Sequence, residues 1–67
     1  MVSERFVARL VRSREHQYSL AAAAQISPAR LSRIVRAEVG PLKPDDRRAV
    51  LEIAARLGLA AEEALVE

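Results

Sequence analysis

Apolar residues along this chain recur at the spacing of α-helices, and no segment alternates apolar and polar residues as a half-buried strand does. The first helix is expected over about residues 4–14, with Ser3 as its N-cap. Its apolar stripe would consist of Phe6, Val7, Leu10 and Val11. This arrangement leaves Arg5, Arg9 and Arg12 on the solvent face of the same helix.

Residues 17–36 predict a short helix, a tight turn and a second helix of about residues 28–36. Ser27 precedes the second helix, where its hydroxyl can accept a hydrogen bond from a free backbone N–H of the first turn. Pro28 follows at the first helical position, where its missing N–H costs nothing and its fixed φ is already helical. Ala21 is expected where the two backbones approach most closely. The two helices would share one buried apolar wedge, formed by Leu20, Ala24, Ile26, Leu31 and Ile34.

A Gly-Pro dipeptide and a second proline indicate a loop over residues 38–44. Val39 and Leu42 are expected to attach this loop to the core. Asp45 would then cap a helix of about residues 46–57, with two acidic residues near its positive end.

The inner stripe of that helix would consist of Val50, Ile53, Ala54 and Leu57. Gly58 would end the helix at the C′ position.

Residues 59–66 predict a short fifth helix. Leu65 and Val66 in this segment could either close the core or meet a second protomer.

The composition fits a single all-α domain covering residues 1–67. Hydrophobic residues make up 51% of the chain but aromatic residues only 3%, so the core must be mainly aliphatic. There is no cysteine, which excludes disulfides, thiolate chemistry and cysteine-based zinc sites. No apolar run approaches the length of a membrane span, and Arg9 and Arg12 interrupt the N-terminal apolar stretch that a secretory signal would need. We therefore expect a cytoplasmic protein.

The net charge of +2 conceals an uneven distribution. Residues 1–36 contain seven arginines and two glutamates, whereas residues 37–67 contain four basic and seven acidic residues. The charges alone fit either a face that meets a polyanion or a solvated surface of mixed sign. The position of Arg30, Arg33 and Arg36 favours the first reading. They recur at i, i+3 and i+6 on the second helix of the pair and form a row that is expected to project into solvent.

This pattern resembles the lambda-repressor-like (Cro/repressor, XRE-type) helix-turn-helix family, and the resemblance extends over about residues 4–66. In the helix pair it is carried by Gln17, Leu20, Ala21, Ala24, Ile26, Ser27, Leu31, Ser32, Arg33, Ile34 and Arg36. It implies a compact domain of four to five helices in which the helix beginning at Ser27 enters the major groove of DNA. Gln25 departs from the family, which usually has glycine at this turn. A left-handed backbone would cost a non-glycine residue about 1–2 kcal/mol, so a slightly remodelled turn is expected.

The resemblance implies a sequence-specific transcriptional regulator that binds double-stranded DNA. Arg33 and Arg30 are the candidates for base edges, because a guanidinium can bond both acceptors of a guanine. Ala29 could contact a thymine methyl group, and Ser27 could donate to a phosphate. The residues expected to position the protein on the DNA backbone are Gln17, Arg36 and Lys43. For Gln17, an ordinary exposed residue in a first helical turn is the alternative.

With few contacts per protomer, we expect a homodimer on a two-fold operator with half-sites about 34 Å apart. No cofactor, metal or small-molecule effector is expected, and enzymatic activity is not, because titratable groups do not gather in any recognisable motif. His16, the sole histidine, is expected to cap the second helix or to be exposed.

The alternative function is a protein-interaction module of the same fold, such as an antitoxin-like partner or an inhibitor of a transcription complex.

Overall fold

The computed structural model describes residues 1–66, and this part of the chain contains five α-helices. The helices are α1 (Glu4–Arg12), α2 (Gln17–Ala23), α3 (Pro28–Val35), α4 (Pro44–Arg56) and α5 (Ala61–Ala64). Strand-like pairing within residues 1–66 is limited to one isolated antiparallel bridge between Val2 and Leu65. The all-α prediction is therefore confirmed. Within this described part of the chain no helix could cross a bilayer, since α4 is the longest and has 13 residues.

Two helices begin at the serines that the sequence predicts as N-caps. Ser3 Oγ accepts a hydrogen bond from the backbone N–H of Phe6 at 3.1 Å, and Ser27 Oγ accepts one from Arg30 N–H at 3.1 Å. Pro28 is the first residue of α3, as expected. His16 is the N-cap residue of α2, but its side chain makes no capping hydrogen bond.

The predicted end of the first helix is wrong by two residues. The helix ends at Arg12, because Ser13 has an extended backbone with ψ of 142°. Ser13 Oγ accepts a hydrogen bond from the backbone N–H of Glu15 at 3.1 Å. This local side-chain bond competes with continuation of the helix, as serine often does.

The predicted start of the fourth helix is also wrong. Pro44 is its first residue and Lys43, not Asp45, is its N-cap residue. The fixed φ of proline suits a first helical position. One turn into the helix, the Asp46 carboxylate accepts a hydrogen bond from the backbone N–H of Lys43 at 3.3 Å. The aspartate that satisfies the helix start is therefore Asp46, one residue beyond the predicted cap.

Three helices end in the same way, with a residue at positive φ in the C′ position. These residues are Gln25 (φ 58°) after α2, Ala37 (φ 58°) after α3 and Gly58 (φ 78°) after α4. Each end carries the two backbone hydrogen bonds of a Schellman motif; after α2, Gln25 N–H donates to Ala22 and Ile26 N–H to Ala21. The expectation that the turn at Gln25 is remodelled is wrong. The ordinary left-handed turn forms with glutamine in it.

The core is one cluster of aliphatic side chains around a single phenylalanine. Its buried members are Phe6, Leu10, Leu20, Ala21, Ala24, Leu31, Ile34, Ala49, Val50, Ile53, Ala54, Leu57 and Ala64. The predicted wedge is confirmed, with Ile26 half-buried at its edge, and Val39 and Leu42 attach their loop to the core as expected. Val11 is not a core residue: 71% of it is exposed, because it lies about 100° around α1 from Leu10.

Arg9 lies on the exposed face of α1, as predicted, but its guanidinium is engaged. It donates a hydrogen bond to the backbone carbonyl of Leu57. Leu57 is the C-cap residue of α4, where carbonyls without helical partners carry partial negative charge. A cation from the first helix therefore covers the end of the fourth.

The two ends of the described chain are joined by backbone hydrogen bonds. Ser3 N–H donates to Ala64 O at 2.8 Å, and Val66 N–H donates to Met1 O at 2.9 Å. Leu65 is half-buried and packs against the core, whereas 50% of Val66 is exposed. Core closure is therefore the role that the structure gives to Leu65.

The left-handed residues generate a first prediction. Gln25→Gly should raise the free energy of unfolding by about 0.5–1 kcal/mol. Glycine removes the strain of a left-handed non-glycine residue, and this gain exceeds the stabilisation of the unfolded chain by the greater conformational entropy of glycine. Urea unfolding monitored by circular dichroism measures the change. Ala8→Gly, at an exposed position inside α1, is the control and should lower stability by about 1 kcal/mol. A loss of stability in both variants would contradict the strain at Gln25.

Candidate nucleic-acid interface

An open groove of about 700 Å³ lies between the first turn of α2 and the outward face of α3. Its lining residues are Gln17, Tyr18, Pro28, Ala29, Ser32, Arg33 and Arg36. Four of the seven predicted site residues lie together here, namely Gln17, Ala29, Arg33 and Arg36. The other three, Ser27, Arg30 and Lys43, lie outside the lining.

The geometry of α3 explains this division. Successive residues of an α-helix are about 100° apart, so Ala29, Ser32, Arg33 and Arg36 share a face about 100° wide. Arg30 lies about 100° from Ala29 and about 120° from Arg36 on the same helix. A spacing of i, i+3 and i+6 rotates steadily around the helix and does not keep to one side. The expected row of three solvent-facing arginines is therefore wrong at Arg30.

Arg30 instead forms a bidentate ion pair with Asp46 of α4. Its Nη2 lies 2.6 Å from Asp46 Oδ2, and its Nε donates to Asp46 Oδ1 at 3.2 Å. The carboxylate side chain is 8% exposed and that of Arg30 31% exposed. Two parallel charge-assisted bonds are the strong form of this interaction and leave the guanidinium little freedom to reach another ligand.

This pairing shifts the pKa of both groups. The hydrogen bonds from Arg30 lower the pKa of Asp46 below its ordinary value, assisted by the backbone N–H of Lys43 and opposed by burial. The hydrogen bond to Asp46 in turn raises the pKa of Arg30. Both shifts favour the charged pair. Asp46 therefore stays ionised while it connects the start of α4 to the side of α3.

Arg33 has the environment that Arg30 lacks. It is exposed, it lines the groove, and its guanidinium makes no hydrogen bond or ion pair with any other residue of the described chain. Arg36 also lines the groove, but its Nε lies 3.2 Å from a carboxylate oxygen of Glu38. Both of these side chains are more than half exposed, so the pair contributes little and can be exchanged for another anion.

The remaining predicted residues lie at the margins. Ser27 is exposed, and although its oxygen accepts the capping bond from Arg30 N–H, a hydroxyl keeps its own hydrogen to donate. Lys43 is exposed at the start of α4 and does not line the groove. Tyr18 and Ser32 also line the groove but are not among the seven predicted site residues. Ser32 could have been found from its i+3 spacing after Ala29, and 73% of Tyr18 is exposed beside Gln17.

Ion pairs join the basic and acidic halves of the chain. Arg5 Nη1 lies 2.6 Å from a carboxylate oxygen of Glu63, and Arg56 Nη1 lies 3.6 Å from one of Glu15. Together with the pair between α3 and α4, they mix the two halves across the surface. Part of the uneven charge along the sequence is therefore neutralised by contacts between the two halves. The cationic character of the candidate site comes from Arg33 and Arg36 locally.

The ion pair between α3 and α4 generates a second prediction. Asp46→Asn should lower the free energy of unfolding by about 1–3 kcal/mol at neutral pH, because Arg30 loses its ionised partner. Since the folded pKa of Asp46 lies below its ordinary value of 3.8, its contribution is complete above that value. It is lost as the pH falls through the folded pKa. The stabilities of the two proteins should therefore converge in acid.

Urea unfolding between neutral pH and about pH 2 tests this convergence. Asp45→Asn is the matched control, because Asp45 is the exposed neighbour in the same helical turn. It should change stability by less than about 0.5 kcal/mol. Equal losses in the two variants would show that the ion pair with Arg30 adds nothing.

The groove residues offer hydrogen-bond donors from Arg33 and Arg36, the amide of Gln17 and two hydroxyls, together with the methyl group of Ala29. This set can bind phosphate oxygens and the acceptors of base edges. No family model, curated protein or solved structure matches the chain.

Proposed function

We propose that this chain is a sequence-specific regulator of transcription that binds double-stranded DNA, with α2 and α3 forming a helix-turn-helix of the lambda-repressor-like type. The observation that carries the proposal is Arg33: an unpaired, exposed guanidinium on a capped helix, facing a groove that the first turn of α2 closes on its other side. A cation held in this way is available for a nucleic acid rather than for the protein's own carboxylates.

The dimensions of α3 support docking in the major groove. An α-helix with its side chains is about 10–12 Å across, and the major groove of B-DNA is about 12 Å wide. The outward face of α3 carries Ala29, Ser32 and Arg33 without intramolecular side-chain bonds among the described residues. In this docking, Arg33 bonds the two acceptors of a guanine, Ala29 contacts a thymine methyl group and Ser32 bonds a neighbouring base edge.

The other cations and polar groups hold the protein on the DNA backbone. Gln17 and Tyr18 approach phosphates from the start of α2, and Arg36 exchanges its exposed contact with Glu38 for a phosphate. Ser27 donates its hydroxyl hydrogen, and Lys43 reaches the backbone from the start of α4. Phosphate contacts of this kind set register and orientation without reading sequence.

Arg30 has a different role in this proposal from the one its sequence position suggests. Its bidentate bond to Asp46 makes it a positioning residue that holds α3 against α4. One arginine, Arg33, therefore reads a base in each protomer. Such a small set of base contacts fits a dimer on a two-fold operator with half-sites about 34 Å apart. The bound dimer would regulate transcription by blocking or recruiting polymerase.

A third prediction concerns Arg33. Arg33→Ala should weaken binding to a selected DNA site by about 1–3 kcal/mol, or roughly 5- to 150-fold, and should relax base preference at one position. Selection of bound sequences from a random duplex pool, followed by titration at fixed salt, measures both effects. Arg5→Ala removes an arginine outside the groove and serves as the control. The same loss on selected and random DNA would contradict base reading by Arg33.

A fourth prediction separates backbone contacts from base contacts. Lys43→Ala should weaken binding to all sequences alike and reduce the slope of log K against log salt by about one unit. Its backbone N–H, which bonds Asp46, remains in the variant. Titrations at several salt concentrations measure the slope. Binding that does not depend on salt in the unmodified protein would reject the DNA proposal and favour a protein-interaction module.

A further inference from the structure

The outward face of α4 is a second open surface, remote in sequence from the candidate DNA groove. A groove of about 710 Å³ runs along it, lined by Pro44, Arg47, Arg48, Leu51, Glu52 and Ala55. These positions follow i, i+3, i+4, i+7, i+8 and i+11, so they form one continuous stripe along the helix. The groove is mainly apolar and has Leu51 and Ala55 among its lining residues.

This stripe continues onto the C-terminal segment. A neighbouring groove of about 420 Å³ is lined by Arg47, Leu51, Ala61, Glu62 and Leu65. Arg47 and Leu51 belong to both grooves, so the surface passes from α4 to α5 without a break. No lining residue is shared with the groove between α2 and α3. An occupant of the α4 stripe would therefore leave the groove between α2 and α3 uncovered, although Lys43 directly precedes the stripe at Pro44.

The charges on α4 identify which occupant fits. Asp45 lies exposed in its first turn and Arg56 in its last, and Arg48 pairs with Glu52 across the middle at 3.0 Å. Two copies of this helix placed antiparallel bring the acidic first turn of each copy beside the basic last turn of the other. A two-fold axis near the level of Val50 also sets Arg48 of one copy opposite Glu52 of the other, and the reverse. The stripe is thus complementary to itself.

We propose that the α4 stripe is where a second copy of this chain docks, with the two α4 helices antiparallel, Leu51 near the two-fold axis and Arg48 facing Glu52 across it. The inference rests on the dimeric state proposed above and names the surface that produces it. Both charged side chains are between 40% and 50% exposed, so the two intramolecular pairs of a dimer can be exchanged for two intermolecular pairs with little desolvation. Arg48 Nη2 also donates to Ala24 O at 3.2 Å, and Nη1, which bonds Glu52, is the atom that changes partner.

The size of the stripe sets the strength of the dimer. A stable interface covers about 800 Å² on each partner, and one face of a helix about 20 Å long supplies less than that. Even with the neighbouring groove, the contact should be weak and strongly dependent on concentration. Two protomers held on one DNA duplex would meet at a high effective concentration, so the contact would act mainly there.

A charge-exchange experiment without DNA tests the surface. Glu52→Arg places arginines at both positions, and Arg48→Glu places glutamates at both, so each variant alone should self-associate at least about tenfold more weakly than the unmodified protein. An equimolar mixture should regain association as a heterodimer, because every facing pair is again of opposite sign. Sedimentation up to about 1 mM protein measures all three samples. Association that is not restored on mixing would overturn the proposed pairing.

A second variant keeps the test independent of the ion pairs. Ala55→Lys adds length and charge to an exposed position of the stripe and should abolish self-association, while circular dichroism shows that the helices remain. Ala22→Lys, at an exposed alanine of α2 outside both grooves of the stripe, is the matched control and should associate like the unmodified protein. Equal loss in the two lysine variants would count against the stripe.

Failure of the dimer surface can be distinguished from failure of DNA binding. The Ala55→Lys protein should bind a duplex carrying one half-site as the unmodified protein does, and it should lose the tighter binding to the two-fold site. An unmodified protein that stays monomeric up to about 1 mM, and binds the two half-sites independently, would overturn the inference while leaving the DNA proposal intact.

Discussion

The bidentate ion pair between Arg30 and Asp46 is the contact on which the geometry of the candidate site depends. Close backbone packing joins α3 to α2 but hardly at all to α4. The side-chain bonds at 2.6 and 3.2 Å therefore add a polar link between the helix that carries the site and the longest helix of the described chain, beside the apolar core that both helices share. Since Asp46 also accepts the backbone N–H of Lys43, one carboxylate fixes the start of α4 and the side of α3 together. Its burial makes the loss of either partner costly.

Each part of the eight-residue helix α3 has a separate task. Leu31 and Ile34 face the core, Arg30 binds α4 at the flank, and the opposite flank carries Ala29 and Arg33 into the open groove. This division follows from the helical repeat, which gives a short helix three distinguishable sides. The two buried side chains and the flank bond to α4 together fix the rotation of the helix about its own axis. It thereby determines which side chains remain available for a ligand.

The turn between α2 and α3 shows a local rule broken at the proposed functional site. Gln25 and Ala37, which flank α3 on both sides, adopt the left-handed backbone that glycine adopts most easily. The surrounding Schellman hydrogen bonds hold them there and satisfy carbonyls at the helix ends. Strain of this kind persists only where the rest of the fold determines the conformation. In this chain the buried wedge between α2 and α3 supplies that determination, since Ala21, Ala24 and Leu31 are almost wholly inaccessible to solvent.

The sequence by itself determined the features that depend on residues within about one helical turn of each other. The caps at Ser3 and Ser27, the proline that opens α3, the glycine after α4 and the apolar stripes of α3 and α4 could all be read from local spacing and chemistry. Only the tertiary structure decided features that depend on contacts distant in sequence. Arg30 pairs with a carboxylate 16 residues away, and the Arg9 guanidinium bonds a carbonyl 48 residues away. Helical periodicity shows which residues share a side of a helix. Which residues of other helices pack against that side depends on how the whole chain folds.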